Sequence, residues 1–308
     1  MKHFHSILFV SDGVRDDTEV LHQAISLAFD NKAMLGILII CPPFHPGLEE
    51  HKNSYEAFLL EKMQQSIETA KASLSLAKKK IAFKLDIEWG DTPDIRIIQQ
   101  VLREPYDLVI KAVENKENTK GFEALDMALL RKCPCTLFLH RPFRSTEKHH
   151  IAVAIDPKDE ELYGHDLALN LLKLSQALSI HYNGHLSIIS CWSFILEHYL
   201  RHSVFTSATN IDEMTTHESE KQHHVLLELL HEANIKDPTV HYLKGSPTEL
   251  IPSLVSEKKI DVLIMGTVAR TGLAGFVIGN TAENILQKIN CSLWALKPPG
   301  FLSPVKAY

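Results

Sequence analysis

A glycine-bearing loop between a strand and a helix is the part of this sequence that could do the most specific chemistry. It follows the apolar strand predicted over Asp261–Gly266 and ends in Gly279-Asn280-Thr281, just before a helical pattern. Backbone amides of such a loop can cradle a phosphate, and the helix N-terminus adds partial positive charge. Residues 266–282 contain no carboxylate, and Arg270 carries their only formal charge. The loop therefore predicts an anion site; the alternative is a flexible loop with glycines at its turns.

The elements that position this loop occur twice in the chain. Asp107 recurs as Asp261, at an offset of 154 residues, each time at the start of a short apolar run. The surrounding strand and helix patterns recur with it, which is typical of a tandem repeat. With 308 residues, the chain is long enough for two domains. We predict them at residues 1–142 and 148–308.

Each copy alternates short apolar strands with amphipathic helices. Continuous apolar runs are typical of strands buried on both faces, and intervening helices imply parallel pairing through right-handed crossovers. The predicted fold class is α/β: two tandem, doubly wound, Rossmann-like sheets of five parallel strands. Ligands of such sheets bind beyond the carboxyl ends of the strands, where the strand order reverses. The predicted strands are Ser6–Ser11, Gly36–Cys41, Phe83–Glu88, Asp107–Ala112 and Thr136–His140, then Ile151–Asp156, His185–Ser190, Thr239–Leu243, Asp261–Gly266 and Ser292–Leu296.

Helices of the second copy follow from the spacing of apolar residues. One begins at Ser246-Pro247-Thr248-Glu249, which has the spacing of a capping box with proline at the first helical position. The C-terminal tail, residues 298–308, carries Phe301, Leu302 and Val305, and we expect it to dock on a neighbouring domain. The predicted helices are Leu167–Leu178, Glu213–Ala233, Pro247–Ser256 and Ala282–Ile289.

The first copy lacks most features of the loop. Its equivalent stretch, residues 112–126, has one glycine, and Glu123 and Asp126 fall where a helix N-terminus would meet a phosphate. Carboxylates at that position interact with the helix dipole and repel an incoming anion. We expect that the first copy cannot bind a nucleotide there.

An aspartate follows the first strand of each copy. Asp12 comes after Phe9-Val10-Ser11, and Asp156 comes after Ala152-Val153-Ala154-Ile155. A carboxylate at the carboxyl end of a central strand can contact a ribose or a metal ion. It can equally cap the following turn.

These features resemble the universal stress protein family. Its nucleotide-binding members carry G-x2-G-x9-G-[ST] after the fourth strand and an aspartate after the first. In this sequence Gly266, Ala269 and Gly279 hold the three glycine positions, Asn280 replaces the hydroxyl residue, and Thr281 is adjacent. The resemblance covers nearly the whole chain as two family domains, and it implies an adenine nucleotide alpha hydrolase-like fold. Of the two, only the domain at 148–308 keeps part of the nucleotide loop.

The resemblance also implies a ligand and a set of contacts. The ligand would be ATP with Mg²⁺ or another adenine nucleotide, and otherwise no cofactor is expected. Trp192, beside the end of the second strand, would stack on a base or plug the cleft. Adenine and ribose would be flanked by Asp156, Cys191, Met265 and Gly266, with Ala269 in the loop and Gly279, Asn280 and Thr281 at the phosphates.

The fifth strands, Thr136–His140 and Ser292–Leu296, are predicted sheet edges, which invite pairing with another strand. In the family such edges pair across domains, which implies an intrachain pseudo-dimer, with a homodimer as a further option. The implied function is a regulatory, ligand-binding role in a cytoplasmic stress response. The alternative is a scaffold without nucleotide, or a binder of an apolar small molecule, that acts through protein partners. Because no nucleophile elbow or P-loop occurs, we expect at most slow ATP hydrolysis.

Composition excludes several other classes of protein. The net charge of −6 carries no basic stripe, so we expect no nucleic-acid partner. No apolar stretch reaches about 18 residues and no signal-peptide pattern opens the chain, so we expect no membrane span and a cytoplasmic location. No H-E-x-x-H or Cys/His cluster predicts a metal site. Five cysteines argue against a disulfide framework; the close pair Cys133-Pro134-Cys135 is either redox-active or metal-binding, or consists of packed thiols.

Overall fold

The described part of the chain forms a ten-stranded β-sheet with helices on both faces. The computed structural model describes residues 4–76, 81–114, 120–143, 148–157, 162–202, 208–267 and 278–308. We call β1–β5 and their helices the first half, and β6–β10 and theirs the second half. The strands are β1 (Ser6–Ser11), β2 (Met34–Cys41), β3 (Phe83–Trp89), β4 (Leu108–Ala112), β5 (Thr136–His140), β6 (His150–Ala154), β7 (His185–Trp192), β8 (Thr239–Lys244), β9 (Val262–Gly266) and β10 (Ser292–Leu296).

Helices cover both faces of this sheet. On one face α1, α2, α5 and α7 pack against the strands, and on the other face α3, α4, α8 and α9 do. Among the described helices none is long and apolar enough to cross a membrane. The helices are α1 (Thr18–Asn31), α2 (Lys52–Ser73), α3 (Pro93–Arg103), α4 (Ala124–Lys132), α5 (Leu162–His181), α6 (Glu197–His202), α7 (Ala208–Glu232), α8 (Pro247–Glu257) and α9 (Asn280–Leu286).

Strand order confirms the doubly wound α/β fold. The order is β3-β2-β1-β4-β5 in the first half and, reading inward from its outer edge, β8-β7-β6-β9-β10 in the second. All pairings within each half are parallel. The winding direction reverses between β1 and β4 and again between β6 and β9. Each half therefore has a switch point at which ligands of such sheets bind.

The two halves meet edge to edge through their fifth strands, the pairing that the two predicted edges suggested. β5 and β10 are antiparallel, with Phe138 opposite Trp294. The two rings stack with centroids 4.6 Å apart, and both side chains are fully buried. A stacked pair of this size contributes more than its buried area alone. The hydrophobic core thus continues from one half into the other.

The C-terminal tail docks on the first half. The Gln99 side chain donates to the carbonyl of Lys306 at 3.4 Å, and the Arg103 guanidinium donates to that of Ala307 at 3.1 Å. Phe301 is buried, whereas Leu302, also expected to dock, is 69% exposed. The tail thus ties the second half to α3, as the sequence suggested.

Helix ends differ from the sequence predictions. α5 and α7 begin five residues earlier than predicted, at Leu162 and Ala208, because apolar periodicity marks only the turns that pack against the sheet. The prediction of a capping box at Ser246 was wrong. Pro247 does start α8, but the Ser246 hydroxyl contacts the Thr248 hydroxyl at 2.8 Å and makes no capping hydrogen bond.

A surface ion pair across the junction gives a first testable prediction. Arg131 of α4 and Glu283 of α9 are 2.5 Å apart, with side chains 41% and 29% exposed. Because solvent screens such a pair, we expect Arg131→Gln to lower the free energy of unfolding by no more than about 1 kcal/mol. The loss should shrink at high salt. Urea unfolding at two salt concentrations measures it, and a salt-independent loss of several kcal/mol would contradict this.

Candidate functional site

A cleft of about 500 Å³ opens at the carboxyl ends of β6 and β9, at the switch point of the second half. Its volume and its mostly apolar wall are typical of small-molecule sites. The wall comes from α5, α8 and α9 as well as from the strands. Six of the predicted site residues line this cleft, namely Asp156, Cys191, Met265, Gly266, Gly279 and Thr281.

The N-terminus of α9 faces this cleft. Its N-cap, Gly279, lies in extended conformation (φ −62°, ψ 139°) and has no side chain with which to cap the helix. Its N–H donates to the carbonyl of Thr267 at 3.0 Å, which joins the two ends of the loop. The first N–H groups of a helix have no partner within the helix. Thr281 and Ala282 bring this turn to the wall of the cleft, where an anion could accept from it.

Asp156 and Cys191 lie at the mouth of the same cleft. Asp156 is exposed and Cys191 is half-buried. Burial, together with the charge of Asp156, raises the pKa of the Cys191 thiol to about 11. At neutral pH Cys191 is therefore an uncharged lining group, and its sulfur does not compete with an anion.

Two of the other predicted residues, Asn280 and Trp192, lie elsewhere. Asn280 is exposed at the first position of α9 and does not line the cleft. Ala269 lies outside the described residues. Trp192 neither lines the cleft nor plugs it: its ring stacks on Tyr242 with centroids 5.8 Å apart, and the Lys244 ammonium lies 5.4 Å from the Trp192 ring centroid.

The matching cleft of the first half is smaller and charged. Its volume is about 340 Å³, and it opens between the carboxyl ends of β1 and β4. Lys111 enters from β4, and its ammonium lies 2.9 Å from the carboxylate of Asp126 on α4. The side chain of Lys111 is 9% exposed and that of Asp126 is not exposed at all. The charged residues that line this cleft are Asp12, Arg15, Asp17, Asp91, Lys111 and Glu114.

This ion pair has an apolar counterpart in the second half. The strand registers place Met265 where the first half has Lys111. Asp126 and Ala282 are each the third residue of their helix, after an N-cap at Glu123 or Gly279. The first half thus has an internal salt bridge where the second half has two apolar side chains, Met265 and Ala282.

Carboxylates of the protein itself also occupy the start of α4. The Glu114 side chain accepts a hydrogen bond from the backbone N–H of Leu125 at 3.3 Å. Asp126 in turn accepts one from the backbone N–H of Glu114 at 3.2 Å. Of the two acidic residues that the sequence pointed to, Asp126 makes a hydrogen bond of this kind. Glu123, in contrast, is exposed and makes no capping hydrogen bond.

The sequence patterns did not identify Lys111 and Glu114 as residues of this cleft. A signal for the first was present, because Lys111 interrupts the apolar run Leu108–Ala112 of a strand buried on both faces. A buried ammonium needs an anionic partner. That rule would have pointed to a carboxylate on the following helix, and Asp126 is such a residue.

The raised pKa of Cys191 predicts slow alkylation. Because the thiolate is the nucleophile, we expect Cys191 to react with iodoacetamide at pH 8 at least about tenfold more slowly than a cysteine in an unfolded peptide. Its rate should keep rising as the pH approaches 11. Mass spectrometry of the Cys191 peptide over a pH series measures this. A rate that levels off near pH 9 would show that burial does not raise the pKa.

Comparison with known proteins identifies relatives of this chain. The universal stress protein family model matches residues 148–297. Universal stress protein E of Photorhabdus laumondii is 25% identical and aligns with 100% of this chain and 99% of its own. The universal stress protein E homolog of Haemophilus influenzae is 26% identical and aligns with 96% of this chain and 98% of its own.

Solved structures share the fold over the same length. A functionally unknown protein from Pseudomonas aeruginosa superposes with a TM-score of 0.72 at 21% identity, covering 96% of this chain and 93% of its own. A universal stress protein from Archaeoglobus fulgidus gives a TM-score of 0.61 at 15% identity, covering 95% and 98%. The fold is thus shared with solved structures along nearly the whole chain.

Proposed function

We propose that the chain, as a tandem member of the universal stress protein family, is a stress-response protein whose second half binds an adenine nucleotide as a regulatory ligand. The first half binds no nucleotide and instead pairs with the second half through β5 and β10. The proposal rests on the different chemistry of the two switch points.

The observation that supports it most strongly is a difference between the N-termini of α4 and α9 in the charge of the side chains around them. In the first half, Glu114 accepts from the first turn of α4, and Asp126 is buried against Lys111. In the second half, glycine and alanine stand at the N-cap and third positions of α9. A helix N-terminus attracts an anion, and a carboxylate already there satisfies it. We therefore expect an external phosphate to bind at the helix N-terminus of the second half and not at that of the first half.

The rest of the cleft suits the remainder of a nucleotide. Met265, Leu171 and Ile251 provide an apolar wall for a base, and Asp156 is a carboxylate that can accept from ribose hydroxyls. Mg²⁺, where present, is held chiefly by phosphate oxygens and water in sites of this kind. Thr281 provides a hydroxyl near the phosphates.

The role is binding rather than turnover. A hydrolase needs a group that activates water or a nucleophile near the reacting phosphate. Among the described residues that line the cleft, Asp156 is the one carboxylate, and Cys191 is a protonated thiol at neutral pH. We expect hydrolysis to be slow and not to depend on Cys191.

A second candidate is an apolar small molecule in the same cleft. Apart from Thr281, the side chains of α5, α8 and α9 that form its wall are aliphatic, and such a wall favours apolar ligands. In this case the protein acts as a scaffold through protein partners. For both candidates we propose a cytoplasmic location, in keeping with five cysteines that form no disulfide bond.

Denaturing the purified full chain and identifying the released molecules by mass spectrometry tests both. Stoichiometric ATP, ADP or AMP supports nucleotide binding. An apolar molecule without nucleotide supports the second candidate. A chain that releases nothing and gives no heat on titration with ATP or Mg²⁺-ATP would overturn the nucleotide proposal.

A further inference from the structure

Two cysteines at the end of α4 lie in direct contact. Cys133 follows the last residue of the helix and Cys135 directly precedes β5. Their sulfur atoms are 3.5 Å apart and form a hydrogen bond in which either can be the donor. Cys133 is buried, whereas Cys135 is half-buried. A disulfide bond is about 2.05 Å long, so a shift of about 1.5 Å would join the two sulfurs.

A half-buried lysine lies beside the pair. The Lys297 ammonium donates to the carbonyl of Leu130 in the first half and to the hydroxyl of Thr267 in the second, the latter at 2.9 Å. Burial lowers the pKa of Lys297 to about 8, and the two cysteines oppose that effect. The hydrogen bond from Cys135, helped by the charge of Lys297, lowers the pKa of the Cys133 thiol. Both effects favour the thiolate form of Cys133, and Lys297 provides a positive charge that acts on it.

We infer that Cys133 and Cys135 form a redox-active dithiol that hydrogen peroxide oxidises to an intrachain disulfide, with Lys297 as the positioning residue that favours the thiolate. The geometry is that of a nucleophilic thiolate with a second thiol already in contact. Of the two residues Cys135 is the partly exposed one, so the pair is approached from its side.

The reaction balances in two steps. The Cys133 thiolate attacks one peroxide oxygen; a sulfur–oxygen bond forms, the O–O bond breaks, and hydroxide leaves. The Cys135 sulfur then attacks the sulfenic acid; the S–S bond forms, the S–O bond breaks, and hydroxide leaves with the Cys135 proton as water. Sulfur loses two electrons overall, and the peroxide gains them. A thiol-containing reductant reverses the change by exchange.

The other cysteines provide internal controls. Burial raises the pKa of Cys41 and of Cys191 to about 11. Among the described cysteines, Cys133 and Cys135 are the two whose sulfurs contact each other. We therefore expect the pair to lose its thiols at least about tenfold faster than Cys41 or Cys191 at neutral pH.

A single residue, Lys297, connects the pair with the cleft of the second half. The Lys297 ammonium donates a hydrogen bond to the Thr267 hydroxyl, and Thr267 lines that cleft. Oxidation removes the negative charge beside Lys297. The dithiol itself does not rest on the proposed nucleotide site, and its test needs no nucleotide.

The test treats the reduced full chain with hydrogen peroxide, blocks remaining thiols by alkylation and digests with trypsin, which releases a peptide beginning at Cys133. We expect this peptide to appear unalkylated, lighter by two hydrogen atoms and restored by dithiothreitol, while Cys41 stays alkylated. Cys135→Ser should instead leave a sulfenic acid at Cys133 that dimedone traps, and Cys41→Ala should not change the rate. A pair that stays reduced while Cys41 reacts, or that forms sulfinic acid without a disulfide, would overturn the inference.

The role of Lys297 is tested separately from folding. Lys297→Met is expected to slow disulfide formation about tenfold and to move the pH at half-maximal rate upward, because the thiolate loses its counterion. Lys297→Arg keeps the charge and should retain most of the rate. Circular dichroism checks that each variant is folded, and the pH–rate profile of the unaltered chain gives the same information if Lys297→Met does not fold. A profile that rises only above pH 9 in the unaltered chain would contradict the role of Lys297.

Discussion

Replacing Lys111 by methionine is expected to lower the free energy of unfolding by about 3–5 kcal/mol, the cost of leaving one partner of a buried ion pair alone. Asp126 has no exposed side-chain surface, and Lys111 provides its ammonium partner at 2.9 Å. Without Lys111 the carboxylate keeps only its hydrogen bond from the backbone of Glu114 among the described contacts. It must then stay charged without its ion-pair partner, with the more distant charge of Arg141 still acting on it, or take up a proton.

The double variant Lys111→Met with Asp126→Ala separates this cost from the loss of packing. It installs in the first half the Met265 and Ala282 of the second, so we expect most of the lost stability to return. Urea unfolding of both single variants and the double variant gives the coupling energy. Lys84→Met is a matched control, because Lys84 pairs with Glu104 at the surface and its loss should cost no more than about 1 kcal/mol. A double variant as unstable as the sum of the single ones would contradict the account.

Ala282→Asp is expected to weaken binding of ATP to the second half by about 100-fold, if the nucleotide site is where we propose it. The substitution places at the third position of α9 the acid that Asp126 provides in α4. Its carboxylate would accept from the helix N-terminus and repel the phosphates. Both effects act against the ligand, and the loss corresponds to about 2.7 kcal/mol.

Gln287→Glu controls for net charge. It adds the same charge at the exposed C-terminal end of α9, and the ATP affinity should change by less than about twofold because salt screens the charge. Titration calorimetry of both variants and the unaltered chain, with circular dichroism to check folding, decides the matter. Equal affinities for Ala282→Asp and the unaltered chain would place the nucleotide elsewhere.

Much of the fold could be predicted because it depends on patterns that repeat. Strands buried on both faces appear as apolar runs, and the offset from Asp107 to Asp261 revealed the duplication. The starts of α5 and α7 could not be placed, since the spacing of apolar residues locates the packed middle of a helix better than its ends. The capping box at Ser246 failed for a local reason: its hydroxyl has a nearer partner in Thr248.

The candidate site was predicted in part for a similar reason. Residues that follow strand ends converge at the switch point by topology, so Asp156, Gly266 and Gly279 could be grouped from the sequence alone. Side-chain partners do not follow from topology. The contact of Glu114 with the start of α4, and the distance between Lys111 and Asp126, depend on a loop path and on rotamers that no spacing shows.

The measurement that tests the central claim most directly is calorimetric titration of the full, ligand-free chain with Mg²⁺-ATP. We expect one site per chain, located in the second half, since carboxylates of the chain itself occupy the start of α4 in the first half. Two equivalent sites per chain would show that Lys111 and Asp126 do not close the first cleft. No heat up to millimolar ATP would show that neither half binds this nucleotide.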